Sequence, residues 1–149
     1  MNARPLTFEE TQGTKTYYLP FERSSLVGPE ATVMVKRLGD GTFIAGVTVR
    51  SLEEPFTKVE GRYRAFLRLQ HAPYGQGAFR AADPQDLADQ IALMFQRIQS
   101  HRGLTVSMSS LQDLAPLAEG LIDAFDKLDA NRLARDMQGV PAVAVAGAS

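Results

Sequence analysis

Apolar and polar positions change period several times along this chain, and each change marks an element. Between Pro5 and Phe21, Leu6, Phe8, Tyr17, Tyr18, Leu19 and Phe21 are apolar or aromatic, interrupted by the turn chemistry of Thr11-Gln12-Gly13-Thr14. The pattern predicts two short strands or an extended arm, then a loop from Ser24 to Pro29. Ala31 to Leu38 and Thr42 to Val49 are rich in β-branched residues and flank Gly39-Asp40-Gly41, whose glycines permit the positive φ of a tight hairpin. Alternation puts Val33 and Val35 on one face and Thr32, Met34 and Lys36 on the other, so one side of the hairpin is expected to meet a core.

After Glu53-Glu54-Pro55 the period lengthens. Phe56, Val59, Tyr63, Phe66 and Leu67 recur at helical intervals, with Gly61 weakening the helix enough to leave a strand over Arg62 to Leu69 as the alternative. His71 to Ala82, with Pro73, Gly75 and Gly77, reads as a loop. Asp83-Pro84 supplies an N-cap followed by a first-turn proline, and Leu87, Ile91, Met94, Phe95 and Ile98 carry a helical stripe to about Ser100, with Gly103 as its terminator. Leu104 to Met108 reads as a short strand. Leu111, Leu114, Ala118, Leu121, Phe125 and Leu128 then follow a 3-4-3-4-3 spacing, and Pro116 implies a helix that starts near Asp113 or is kinked in its first turn. The expected fold is α+β: an N-terminal antiparallel β-sheet built on the hairpin around Gly39-Asp40-Gly41, packed with about three C-terminal helices. Residues 1–139 are read as one domain and the apolar small-residue stretch 140–149 as a tail.

Composition supports an independently folding domain, since 149 residues with 44% hydrophobic and 22% charged side chains are close to globular averages. The absence of cysteine excludes disulfides, thiolate metal sites and cysteine nucleophiles, and fits a cytoplasmic location, or the host cytoplasm for a phage-encoded protein. No apolar run follows Met1-Asn2-Ala3-Arg4-Pro5 to form a signal peptide, and no stretch approaches the ~18 apolar residues of a membrane span, so no membrane partner is expected. A net charge of −1 gives no long-range attraction to nucleic acid, so any such binding has to be local.

The residues that carry chemistry do not converge in sequence. His71 and His101 are the only histidines and neither has a second ligand one turn away, so no metal site is expected. Ser107, Ser109 and Ser110 lie at a helix start, where hydroxyls cap. Glu53 and Glu54 are solvated loop charges. Gly75-Gln76-Gly77 lacks both phosphate-loop patterns, so no nucleotide cofactor is implied. No catalytic residue is nominated, and no cofactor.

Two charged stretches remain. Lys58, Arg62, Arg64, Arg68 and Arg80 are opposed only by Glu60 and interleaved with Tyr63, Phe66, Tyr74 and Phe79, which suits contact with nucleic acid or an acidic partner but equally describes the polar flanks of an amphipathic helix. Glu119, Asp123 and Asp126 repeat at four and three residues, an acidic stripe suited to a basic partner or to an ordinary solvated face.

Gly46-Val47-Thr48-Val49-Arg50-Ser51, followed by Phe56-Thr57-Lys58-Val59-Glu60-Gly61-Arg62, resembles a pattern in small, mostly uncharacterised proteins of bacteriophages and other mobile elements. The resemblance implies a hairpin feeding a basic helix in an accessory protein and carries over no catalytic residue. The expected function is a non-enzymatic protein-interaction module, acting by host-factor or anti-defence binding or as a virion or assembly component, with self-association into a homo-oligomer as part of that expectation. The alternatives are a nucleic-acid-binding regulator using the Lys58 to Arg68 helix, and an enzyme whose site is assembled from scattered residues.

Overall fold

The computed structural model describes residues 3–19, 31–49, 57–102 and 108–138, with side chains described outside 98–116 and 138. The chain is α+β, a four-stranded antiparallel sheet in the order β1-β2-β3-β4 with helices on both faces. The elements run α1 (Phe8–Thr11), β1 (Thr14–Leu19), β2 (Ala31–Arg37), β3 (Phe43–Val49), α2 (Lys58–His71), β4 (Ala78–Ala81), α3 (Pro84–Arg102) and α4 (Met108–Gln138).

The hairpin forms where expected, β2 pairing β3 from Ala31↔Val49 to Arg37↔Phe43. Of its two glycines only Gly41 has positive φ, at 86°. Asp40 closes the turn by accepting from the backbone N–H of Thr42 at 3.0 Å and from its hydroxyl at 2.6 Å. These bonds and the nearby Arg80 hold the Asp40 carboxyl below its ordinary range.

The first of the two strands expected before Phe21 is instead α1. Thr7 and Glu10 form a capping box: the Thr7 hydroxyl accepts from the Glu10 N–H, and the Glu10 carboxylate accepts from the Thr7 N–H at 2.9 Å. That reciprocal pair satisfies two helix-end donors and outweighs the apolar spacing of Leu6 and Phe8. Gly13, at φ 75°, turns the chain into β1, which pairs β2 in unbroken register from Thr14↔Lys36 to Leu19↔Ala31.

Both faces of the hairpin are buried, not one. Ala31, Val33, Val35, Phe43, Ala45 and Val47 face α3 and α4, where Leu87, Ile91, Phe95, Leu121 and Phe125 complete the larger core. Met34 on the opposite face joins Ala65, Phe66 and Leu69 of α2, with Leu6 and Ile44 packed at the margin. The segment from Arg62 to Leu69 is therefore helical throughout, but its buried side is Ala65, Phe66 and Leu69; Val59, assigned to the apolar stripe, is 42% exposed. Phe56 lies outside the described residues.

The stretch His71 to Ala82 is not all loop: it contains β4, antiparallel to β3 from Phe43↔Ala81 to Gly46↔Ala78. Four residues, two of them alanine, gave too short an alternation to separate from its glycine-rich surroundings. In α3 the Asp83 carboxylate accepts from the Asp86 N–H at 2.8 Å, as the capping pattern requires, and Leu87, Ile91 and Phe95 are fully buried. The next helix begins at Met108, so Met108 ends no strand and the start expected near Asp113 moves five residues earlier. Pro116 sits inside α4, where it forfeits one intrahelical hydrogen bond while the apolar stripe Leu117, Ala118, Leu121 and Phe125 remains buried. Gly103, Leu104 to Ser107 and the tail 140–149 lie outside the described residues.

Candidate interaction surface

The basic residues of α2 do not form one face. Arg68 turns inward and donates to the backbone carbonyl of Val47 in β3, filling the space beside Gly77, where an added Cβ would strike the guanidinium. Arg64 pairs with Glu60 one turn earlier, and Glu60 also contributes the backbone N–H that the cap residue Thr57 accepts. Arg80, on β4, pairs with Asp40 at 3.1 Å across the sheet end. Lys58 stands over the Tyr18 ring at 5.4 Å.

Arg62 is placed differently from the flank position its sequence spacing suggested. It lies three and four residues before Ala65 and Phe66, on the sheet-facing side, and its Nε is buried without a hydrogen-bond partner. Its charge is felt by Tyr18: burial raises that phenol above its ordinary pKa, and Arg62 acts in the lowering direction.

The acidic stripe of α4 is divided by the fold. Asp126 joins Asp129 in holding Arg37 from the end of β2, at 2.8 and 2.6 Å, and the Arg37 guanidinium also lies 5.7 Å from the centre of the buried Phe125 ring. The two aspartates raise the Arg37 pKa. Asp123, about 60° round the helix from Asp126, borders a groove shared with Lys15 of β1 and faces Lys127 at 3.5 Å. Glu119 is exposed.

What the charge pattern alone did not show is the apolar content of the same helix. α4 is 31 residues, about 46 Å at 1.5 Å per residue, and every residue from Asp129 to Met137 is exposed. Ile122, Leu133 and Met137 are 51%, 61% and 57% exposed. Spacings of eleven and four residues, close to three turns and one, place them on the side that also carries Asp126 and Asp129. The 11-residue gap explains why a heptad reading passed over them.

Among the described residues no group of three or more His, Asp or Glu is placed to hold a metal ion. A shallow groove of about 370 Å³ between the C-terminal end of α2 and the following loop is lined by Leu67, Arg68, His71, Tyr74, Gly75, Gln76 and Ala78, with an imidazole and a guanidinium but no carboxylate to complete an acid/base pair. No helix among the described residues is long and apolar enough to cross a membrane. The chain matches no family model, no curated protein and no solved structure.

Proposed function

We propose that this chain is a non-enzymatic protein-interaction module, of the accessory type found in phages and mobile elements, that docks a partner on the outer side of α4. The single observation that carries this reading is the exposure of Ile122, Leu133 and Met137 on a helix in which every residue from Asp129 to Met137 is exposed. Apolar side chains in such an arrangement, flanked by Glu119 and Asp126, suit a partner that brings its own apolar anchors and a basic rim. Because Arg37 fixes Asp126 and Asp129, the charged border of this side is ordered before any partner arrives.

The test is affinity capture from cytoplasm of the native host with the parent chain and with Leu133→Asp/Met137→Asp. The expected result is a defined protein partner, retained by the parent and lost by the double variant, with unchanged circular dichroism for both. Equal capture by the two chains, or no partner, refutes the reading. A retardation assay at low salt separates it from nucleic-acid binding through Lys58, Arg62, Arg64 and Arg68: retardation that falls steeply with salt, and is relieved by Arg64→Ala, favours the latter.

A further inference from the structure

The two edges of the sheet are finished differently. β4 is four residues long, and its outer side is occupied: the Gln90 side chain donates to the Arg80 carbonyl at 2.9 Å, and the Asp86 carboxylate accepts from the Ala82 N–H at 2.9 Å. β1 is six residues, Thr-Lys-Thr-Tyr-Tyr-Leu, with no proline, no bulge in its register to β2, and one charge. Among the described residues no strand pairs with its outer side. A regular edge of β-branched and aromatic residues, interrupted among the described residues by the single charge of Lys15, is a template for another strand.

A groove of about 350 Å³ runs beside that edge, between Lys15 of β1 and the side of α4 that carries Gly120, Asp123, Ala124 and Lys127. A Cβ built on Gly120 would meet nothing within 4 Å, so a second helix has room to approach. Asp123 and Lys127 stand one turn apart with opposite charges. A two-fold axis beside them lays an identical helix antiparallel, which brings Asp123 against Lys127 of the second copy and Lys127 against its Asp123. A two-fold axis would also set β1 antiparallel to β1, the pairing that an isologous interface requires. We propose that the partner of this edge is a second copy of the chain: β1 pairs with β1 to give a continuous eight-stranded sheet, and the α4 helices close the groove through Gly120, Ala124 and the reciprocal Asp123/Lys127 pairs.

Gly120 and Ala124, at the centre of this surface, lie across α4 from Ile122 and Leu133, while Asp123 sits at its border, about 60° round the helix from Asp126. The test is light scattering across a concentration series, with hydrogen exchange of Thr14–Leu19 followed in the same samples. A dimer is expected, with the exchange of the outward-facing β1 amides slowing as the dimer forms. Asp123→Lys alone and Lys127→Asp alone each create like charges across the axis and are expected to weaken dimerisation roughly tenfold, while the combined exchange restores it. Ile122→Asp should leave dimerisation unchanged. A monomer at every concentration, or a dimer whose β1 amides stay unprotected and which ignores the charge variants, overturns the proposal. Protection of β1 in a monomer overturns it as well.

Discussion

On the α3/α4 side of the sheet the gap between layers is filled by large side chains: Phe43, Leu87, Ile91, Phe95, Leu121 and Phe125 all lie at or near zero exposure, with the Phe43 and Phe125 rings tilted at 54° and 5.8 Å apart. On the α2 side hardly any gap exists. The backbone of α2 rests directly on β3 at Gly46, where an added Cβ would collide with the Ala65 carbonyl oxygen and the Leu69 nitrogen. One face is therefore held by side-chain volume and the other by closeness of backbones, with a small cluster of Met34, Ala65, Phe66 and Leu69 beside the buried Thr32 and Thr48. The difference teaches where each face is vulnerable. The first loses stability when volume is removed, and the second when volume is added.

Removing volume from the large core gives the largest expected effect. Phe95→Ala should cost about 3–5 kcal/mol, because the ring is fully buried and the surrounding Leu and Ile side chains relax only partly into the space. A urea titration with unchanged slope and a lower midpoint measures it. A loss below about 1 kcal/mol would mean that the α3/α4 face is not close-packed.

Adding volume on the other face comes next. Gly46→Ala should cost about 1–3 kcal/mol by lifting α2, and the shift should be read in the amide resonances of Ala65 and Leu69 rather than in those of Phe95. The same substitution at Gly120, where nothing lies within 4 Å of the added Cβ, serves as the control for the monomer and should gain helix propensity instead.

The α2 face also harbours a group that the burial pattern leaves unsatisfied. Replacing Arg62 with Met keeps the aliphatic length and removes the buried, unpartnered Nε, so Arg62→Met should raise stability by about 1 kcal/mol. Tyr18 reports the same change independently: with the lowering influence of Arg62 gone, burial alone acts on the phenol, and its pKa should move further up in an ultraviolet titration. A drop in melting temperature would show that the guanidinium stabilises the face through contacts worth more than its desolvation.

The contrast between faces also explains what was legible in the sequence. The α3/α4 side announced itself through periodicity, because Leu87, Ile91 and Phe95, then Ala118, Leu121 and Phe125, are apolar residues at helical spacing beside strands that alternate. The α2 side did not. Its key residues are Gly46 and Ala65, whose smallness is invisible to a hydrophobic pattern, and the approach they allow rotates α2 so that Arg62 faces the sheet and Val59 faces solvent. β4 was hidden for a related reason: Ala78 and Ala81, the two residues it buries, are too small to mark alternation. The candidate surface was half legible. Its acids showed as a stripe, but the pairing that takes up Asp126 comes from Arg37, which is 89 residues away from it in sequence.

The smallest expected effect lies outside both faces, at the capping box of α1. Arg4 grips the Glu10 carboxylate through two bonds at 2.7 and 2.8 Å, and with the Thr7 bonds it lowers the Glu10 pKa from 4.5 to about 2. A carboxylate with a depressed folded-state pKa contributes its stabilisation in full above the unfolded value and loses it as pH falls through the folded one, so the loss runs from about pH 4.5 down to about pH 2. The carboxyl is solvent-exposed and screened, so α1 should fray locally in that window while the two cores persist. Carbonyl-detected titration of Glu10 should place its midpoint well below 4.5, and Arg4→Ala should move that midpoint back up toward the ordinary carboxylate range. A Glu10 midpoint that ignores Arg4→Ala would show that the Thr7 cap holds the proton off, since Thr7 is the other hydrogen-bond partner of this carboxylate among the described residues.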